Sequence, residues 1–317
     1  LPLAILGIRE LFLHPTRKNA VLAGLALGLT ALANWYYGLF AGMALMGLCL
    51  RSVWQRRGRL PRYLASRGGI FIATTLVVVG PAFWIFSTSM TTTDAIVTRD
   101  PDFVWATLVL HNMTDVVSFF RPGKHYSPDL KAQFGEDLLV IVYLGHALIW
   151  PALIGFRSEL RRRMGSWAAL GVVYFLLCLG PFLFVNGDYL QVLGGWIPLP
   201  FLALFKWIPM FSRISHAYRF AVGITLALCM LLAWTIRSLE GRRVNVAAFA
   251  LVVATLRVAE CFYASPAHFP LPVSNTTVSA SVASLDGGAV LDLPVGRPVL
   301  ARSQYSMAQL EHMQPSP

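Results

Sequence analysis

The sequence predicts an all-α, polytopic membrane protein, and three observations carry that prediction. Of its 317 residues, 56% are hydrophobic and only 13% are charged, whereas about a quarter of the residues in a soluble domain are charged. The mean hydropathy is +0.61. Basic residues fall in short clusters between apolar stretches rather than on one face of a soluble fold, so no nucleic-acid partner is predicted.

Seven apolar stretches are predicted to cross the membrane as helices. About 20 apolar residues cross about 30 Å of hydrocarbon while a helix satisfies every backbone polar group. The predicted crossings are residues 19–35, 36–50, 69–87, 137–156, 166–185, 217–236 and 244–263. Residues 1–8 look like the end of an earlier crossing, and we expect the chain to be a fragment of a longer protein. Residues 1–263 would form the transmembrane domain.

The first two crossings are short and contiguous, and they meet at the stretch "NWYYG". Cytoplasmic loops of membrane proteins are enriched in lysine and arginine. A turn at "NWYYG" places the basic residues 17–18 and 51–67 on the same side, whereas a single crossing over 19–50 would separate them. The charge pattern therefore predicts two helices joined by a turn.

The same rule predicts three extracytoplasmic segments, residues 88–136, 186–216 and 264–317. Apolar residues at helical spacing in the first segment predict amphipathic helices on the membrane surface. The proline-rich core of the second segment predicts an interfacial or re-entrant element. The third segment contains "GGAVLDLPV", which is typical of a strand, and predicts the start of a soluble α/β or β domain.

The first outer segment contains the candidate catalytic and metal-binding residues. Asp115 follows an amphipathic run and is the candidate catalytic base, although a carboxylate on a helix face would look the same. Asp100 and Asp102 could hold a divalent cation as the cofactor, or they could simply form a turn with a helix cap. His111 and His125 could transfer protons or contact phosphate, or they could be ordinary surface residues.

Arg213, His216 and Arg219 follow the proline-rich core of the second outer segment at a spacing of three, which predicts one helix face. Basic residues at the outer membrane edge oppose the usual charge bias. They predict either phosphate binding by guanidinium groups or side chains that extend to the lipid headgroups. Arg257 and Glu260 lie one turn apart inside the last crossing, and an ion pair within that helix is the simplest expectation.

The four cysteines are expected to be buried structural thiols. Cys49, Cys178, Cys229 and Cys261 all lie in or at the end of apolar stretches, without a Cys-x-x-Cys pair. Free cysteine is among the most buried residue types, so the sequence predicts no metal or redox role for these residues.

A series of loose motifs follows in a fixed order along nearly the whole chain. These are "NWYYGLF", "TDVVSFFRPGKH", "EDLLVIVYLG", "GPFLFV", "IPLPFLALFKWIPMFSRISHAYRF", "AECFYASP", "GAVLDLPV" and "YSMAQLEH". This order resembles large bacterial membrane proteins of the GT-C glycosyltransferase superfamily, in particular those with an outer C-terminal domain.

The resemblance implies transfer of a sugar from a polyprenyl-phosphate donor to an extracytoplasmic acceptor. Tyr36, Tyr37, Asp115, Arg213 and Arg219 would then line the donor cavity, and membrane lipids would surround the protein. The main carboxylate of the superfamily usually lies in the first outer loop, which this resemblance places upstream of the present chain.

Two other functions stay open. A transporter of lipids or lipid-linked saccharides would need polar residues deep in the crossings, and these stretches contain almost none apart from Arg257 and Glu260. A membrane assembly subunit without catalytic activity is the third possibility, and it is favoured if no catalytic carboxylate is present.

Overall fold

The computed structural model describes residues 1–55, 62–89, 101–121, 142–156, 161–208, 211–240 and 245–264, which are mostly helical. The helices are α1 (Pro2–Leu13), α2 (Arg17–Ala33), α3 (Trp35–Gln55), α4 (Arg62–Ser89), α5 (Pro101–Ala106), α6 (His146–Phe156), α7 (Arg161–Cys178), α8 (Pro200–Trp207), α9 (Ala221–Leu239) and α10 (Val246–Ala264). A π-helical turn spans Thr107–His111, and 3₁₀ turns span Val116–Phe119, Phe211–Arg213 and Ala217–Phe220. Four short strands are β1 (Phe184–Val185), β2 (Asp188–Tyr189), β3 (Gln191–Val192) and β4 (Gly195–Trp196).

Asn34 alone connects α2 to α3, and it caps both helices. Its backbone N–H donates to the Thr30 carbonyl at 3.1 Å, and its side-chain oxygen accepts from the Tyr36 N–H at 2.9 Å. Leu48 of α3 packs in the same apolar cluster as Ala20 of α2, so α3 runs back along α2. The predicted turn is confirmed, with the connection at Asn34 and the rest of "NWYYG" inside α3.

Helices α2 and α4 lie in close contact and run in the same direction. A Cβ atom at Gly24 would lie 2.8 Å from the Thr74 Cβ, and one at Gly28 would lie 2.8 Å from the Val78 Cβ. The Thr75 hydroxyl donates to the Gly24 carbonyl at 3.3 Å. Small residues at such a contact allow the two backbones to approach closely.

Replacement of Gly24 with alanine is expected to destabilise the fold by about 2 kcal/mol, because the new methyl group overpacks the contact with α4. The matched control is Gly47→Ala in α3, where an added Cβ would meet nothing within 4 Å. Thermal unfolding of the detergent-solubilised chain, followed by circular dichroism, measures both changes. Equal unfolding midpoints for the two variants would contradict this description of the α2–α4 contact.

Helix α9 packs between α6 and α7, and hydrogen bonds join these helices to the rest of the bundle. Gly223 lies under the Tyr174 ring, with its ideal Cβ position 2.6 Å from the ring. The Tyr174 hydroxyl donates to the Phe40 carbonyl at 2.7 Å and so links α7 to α3. The Thr235 hydroxyl donates to the Pro151 carbonyl at 3.1 Å and links α9 to α6.

The basic helix ends lie together at one end of the bundle. Helix α7 runs antiparallel to α9, since Gly171 faces Ala227 while Tyr174 faces Gly223. It also runs antiparallel to α3, since Phe40 contacts Tyr174 while Ala44 packs in the same apolar cluster as Trp167. The starts of α2, α4 and α7 and the ends of α3 and α9 therefore share one end, which we call the basic end. The opposite end, which contains Asn34 and the β-hairpins, is called the distal end.

Two described helices are long and apolar enough to cross a membrane, by length and composition: Ser66–Ile85 and Ala217–Leu239. The first lies within α4, where Val77 and Trp84 are 75% and 71% exposed. Exposed apolar side chains of this kind are expected where a helix faces lipid. Shorter apolar helices span Trp35–Leu50 and Gly165–Cys178.

The predicted crossing over 137–156 is wrong at its start, because α6 begins only at His146 and has 11 residues. Residues 142–145 are not helical. The Leu144 N–H donates to the Phe119 carbonyl at 3.3 Å, so this backbone pairs with the turn Val116–Phe119 instead of continuing a helix.

The predicted crossing over 166–185 is wrong at its end, because α7 stops at Cys178. Gly180 adopts a φ of +79° and Pro181 follows it, a combination that ends helices. The chain then forms the antiparallel pairs β1–β2 and β3–β4.

The first outer segment packs on protein, which differs from the predicted helices on a membrane surface. Leu108 and Phe119 are fully buried in the main apolar core, together with Tyr36 and Phe220. Their apolar spacing therefore reflects burial against the distal end of the bundle. Residues 122–136 of this segment and the predicted domain at 264–317 lie outside the described residues, apart from the last residue of α10.

The cysteine prediction holds for only part of the set. Cys178 is buried, and its thiol donates to the Tyr218 carbonyl at 3.5 Å. Cys49 is half-buried, whereas Cys229 and Cys261 are exposed. The prediction of burial is wrong for the last two, because each lies on a face of its helix that the described part of the chain leaves exposed.

Candidate functional site

Asp115 joins three pieces of chain at the distal end. Its Oδ1 accepts hydrogen bonds from the backbone N–H groups of Val117 at 2.7 Å and Asn186 at 3.0 Å, and its Oδ2 accepts from Gly187 at 2.9 Å. It therefore caps the turn Val116–Phe119 and also binds two backbone N–H groups of the turn between β1 and β2. Hydrogen bonds from three N–H groups fix the position of the carboxylate. Its catalytic role stays a prediction.

Tyr189 ties the first hairpin to the π-helical turn. Its hydroxyl donates to the Val109 carbonyl at 2.5 Å. Burial raises the pKa of the Tyr189 phenol well above its ordinary value, so the hydroxyl keeps its proton and remains a donor. Its ring stacks on Trp196 of β4 with centroids 4.5 Å apart, which fixes the two hairpins to each other.

Arg219 and Tyr36, both predicted to bind substrate, lie in contact. The Arg219 guanidinium carbon is 4.7 Å from the centre of the Tyr36 ring, and Tyr36 is only 3% exposed. A guanidinium over an aromatic face is held by a cation–π interaction. Tyr37 is 37% exposed, and its ring contacts Phe40 at a centroid distance of 6.3 Å.

Arg213 and His216 lie in the same stretch as Arg219, but the predicted single helix face is wrong. The turns Phe211–Arg213 and Ala217–Phe220 are separated by residues 214–216, which are not helical. His216 Nδ1 lies 2.6 Å from the Ser215 hydroxyl, and Arg213 is exposed. Because the helical turns are interrupted, the spacing of three does not place the three basic residues on one helix face.

Asn112 connects the segment of Asp115 to the segment of His216. Its side-chain amide donates to the Ser215 carbonyl at 2.8 Å. The structure thus brings four predicted site residues, Tyr36, Asp115, His216 and Arg219, into one connected region at the distal end.

Only some residues of the predicted metal and histidine sites lie within the described part of the chain. Asp100 and His125 lie outside the described residues, and only the backbone of His111 is described. Asp102 is exposed in the first turn of α5, where a negative charge stabilises the helix. Within the described ranges, no group of three or more His, Cys, Asp or Glu side chains could hold a metal ion.

A second polar cluster, which we call the α6–α10 junction, lies where α10 approaches the start of α6. Glu260 Oε1 accepts from the Tyr143 hydroxyl at 3.2 Å and from the Ala147 N–H at 2.9 Å, so it caps α6 from another helix. Its Oε2 lies 3.5 Å from Arg257 Nη1. The ion pair predicted within the last helix is therefore confirmed.

Sequence analysis missed the α6 side of this junction. Gly145 has a φ of +89°, and a Cβ atom there would overlap Arg257 Nη1 and lie 2.6 Å from Glu260 Oε2. The His146 N–H donates to the Tyr143 hydroxyl at 3.3 Å, while His146 Nδ1 is buried without a hydrogen-bond partner. The partners of Glu260 are 113 and 117 residues away, so helical spacing gave no signal for them.

The distal end thus combines cationic groups, aromatic rings and one carboxylate that is held by backbone N–H groups. Such a set of groups can bind an anion next to an apolar surface. Comparison of the chain with protein-family models, curated proteins and solved structures found no match.

Proposed function

We propose that the chain is a membrane glycosyltransferase of GT-C type that binds a polyprenyl-phosphate sugar at its distal end. In this proposal α2, α3, α4, α7, α9 and α10 cross a bacterial plasma membrane, whereas α6, with 11 residues, is too short to cross it alone. The two membrane-length helices and the grouping of basic helix ends support it. The basic end faces the cytoplasm, because lysine and arginine are enriched on that side.

The observation that carries the proposal is the contact between Arg219 and Tyr36 at the distal end. The aromatic ring holds one face of the guanidinium, and the N–H groups that bind phosphate oxygens in pairs lie along the edge of that plane. Arg213 and His216 bring further positive charge or hydrogen-bond donors to the same stretch. The proposed ligand is a phosphodiester that joins a sugar to a long apolar chain.

In the proposed reaction, the acceptor hydroxyl attacks the anomeric carbon of the donor sugar. The bond from that carbon to the phosphate oxygen breaks, and the electron pair leaves with the polyprenyl phosphate, whose charge Arg219 stabilises. The hydroxyl proton passes to a carboxylate. Asp115 is the candidate for this step: its three N–H donors occupy three of the roughly four lone-pair sites of the carboxylate, which leaves one site on Oδ2 to accept the proton.

The test compares two arginines that stack on aromatic rings at opposite ends of the bundle. Arg219→Gln is expected to weaken binding of undecaprenyl phosphate at least tenfold, because a charge-assisted hydrogen bond contributes about 1.5–3 kcal/mol. Arg237→Gln is the control, since Arg237 lies 5.4 Å from the Trp234 ring near the basic end. Native mass spectrometry of the chain in lipid nanodiscs measures the bound fraction.

Undecaprenol, which lacks the phosphate, tests whether the anion is recognised. Its binding should be weak and equal for both variants and the unchanged chain. Equal binding of the phosphate by Arg219→Gln and Arg237→Gln, with unchanged unfolding temperatures, would remove Arg219 from the proposal.

A second candidate is a membrane assembly subunit without catalytic activity. The three N–H donors on Asp115 favour it, because they give this carboxylate a structural reason to be present. The two candidates differ in one result: a subunit of this kind would not transfer sugar from a polyprenyl-phosphate donor, even where it binds the lipid.

A further inference from the structure

The turn between β3 and β4 combines a strained backbone with a fully exposed leucine. Leu193 has a φ of +52° and Gly194 a φ of +79°, and the Leu193 side chain has no neighbour that covers it. The left-handed region is unfavourable for a bulky side chain. In the described part of the chain, only Asn186 shares this property among the non-glycine residues.

The first hairpin provides an internal comparison. Asn186 and Gly187 occupy the same turn positions between β1 and β2, with φ values of 52° and 91°. Asparagine followed by glycine is the preferred pair for such a two-residue turn. Leu193 therefore adds strain and exposed apolar surface that the fold does not need, and a residue of this kind indicates a contact outside the chain.

The second hairpin holds this leucine in a fixed place. The Leu183 N–H donates to the Ile197 carbonyl at 3.1 Å, and the Ile197 N–H donates to the Leu190 carbonyl at 3.2 Å. Trp196 contacts the Phe182 ring with centroids 5.1 Å apart. Backbone hydrogen bonds and a contact between aromatic rings therefore hold the base of this hairpin in place.

The surface around Leu193 has the composition of a lipid contact rather than of a protein interface. No charged residue occurs between Asp188 and Lys206, whereas protein interfaces have a polar, charged rim. Val192 and Trp196 are 55% and 42% exposed beside the tip. Tryptophan is enriched at the boundary between lipid and water.

The position of the hairpin agrees with that contact. Its base follows the end of α7, where Cys178 contacts Tyr218 at the start of the membrane-length helix Ala217–Leu239. Leu193 is three residues beyond Leu190, which is roughly 10 Å of strand at about 3.3 Å per residue. The tip is therefore close enough to reach the lipid headgroup layer beside the first turn of Ala217–Leu239.

We propose that the hairpin Gln191–Trp196 inserts its tip, Leu193, into the outer lipid interface as a membrane anchor. The proposal rests on the membrane insertion included in the proposed function, not on glycosyl transfer. Its backbone groups are paired within the hairpin, so the tip enters the interface without unsatisfied hydrogen-bonding groups along β3 and β4.

The test attaches a fluorescent probe at single cysteines in the full chain, reconstituted in phosphatidylcholine vesicles. Leu193→Cys is compared with Asn186→Cys, at the equivalent turn position, and with Val77→Cys in α4. The background for all three replaces the native cysteines: Cys49, Cys178, Cys229 and Cys261. Spin-labelled lipids quench probes in the bilayer, and iodide quenches probes in water.

The probe at 193 is expected to be quenched by a lipid labelled near its headgroup and protected from iodide, whereas the probe at 186 shows the reverse. If iodide quenches the probe at 193 as strongly as the probe at 186, while the spin-labelled lipid quenches the probe at 77, the hairpin is not an anchor although the chain is inserted in the membrane. Protection of 193 from both quenchers means that protein covers the tip, which also overturns it. Absence of lipid quenching at 77 removes the basis of the proposal.

A second measurement keeps the native cysteines. Brominated lipids should quench part of the tryptophan emission, and Trp196→Phe should reduce the quenched part by the contribution of Trp196. Leu193→Asn keeps a residue suited to the turn and is expected to lose the quenching of Trp196. Quenching of Trp196 that is unchanged in Leu193→Asn would contradict the role of Leu193.

Discussion

Replacement of Asp115 with alanine is expected to destabilise the distal end by about 3 kcal/mol, because three backbone N–H groups lose a charged acceptor. The amides of Val117, Asn186 and Gly187 should exchange with solvent deuterium much faster than in the unchanged chain. Hydrogen exchange with mass spectrometry follows the peptides around both turns. The change should stay confined to the distal end.

Two further variants separate the structural role of Asp115 from a catalytic one. Asp115→Asn keeps one oxygen acceptor, so exchange should increase mainly at the amides bound by the lost oxygen. Asp188→Ala is the matched control, because Asp188 is exposed and, among the described residues, its side chain accepts only from the adjacent Tyr189 N–H at 2.7 Å. Normal exchange in Asp115→Asn together with complete loss of sugar transfer would show that the carboxylate acts on substrate.

Gly145→Ala is expected to destabilise the chain by about 3 kcal/mol, as the sum of backbone strain and overpacking at the α6–α10 junction. Alanine at a φ of +89° is strained, and its methyl group would displace Arg257 from Glu260. Thermal unfolding in detergent measures the loss. Helix α10 should separate from α6 before the remaining helices unfold, since Glu260 no longer caps α6.

The control for this prediction is Gly194→Ala, which has the same backbone strain without a clash. Gly194 has a φ of +79°, and an added Cβ would meet nothing within 4 Å. It should destabilise the chain by about 1 kcal/mol. If both variants lower the unfolding temperature equally, the contact of Arg257 with Gly145 has no energetic role.

Charge and helical spacing were sufficient for the features that depend on neighbouring residues. The turn at Asn34 followed from the distribution of basic residues on either side of it, and the pair of Arg257 and Glu260 followed from their spacing of one turn. The apolar helix within α4, which is long enough to cross a membrane, followed from hydropathy alone. Each of these features is decided within a short length of chain.

The remaining features depend on contacts that are distant in sequence. Nothing near Asp115 indicates that its oxygens bind N–H groups 71 and 72 residues away. The apolar spacing of Leu108 and Phe119 predicts a buried face but does not say whether lipid or protein covers it. The second hairpin was missed because Leu193 replaces the asparagine that normally marks such a turn.

The single-residue connection at Asn34 fixes the rotational phase of α3. Each residue advances an α-helix by about 100°, so one inserted residue after Asn34 would turn the face that carries Tyr36 and Phe40 away from its partners. Tyr36 contacts Arg219, and Phe40 accepts the Tyr174 hydrogen bond. The length of this connection therefore sets both the proposed anion site and the α3–α7 packing, and neither can change without the other.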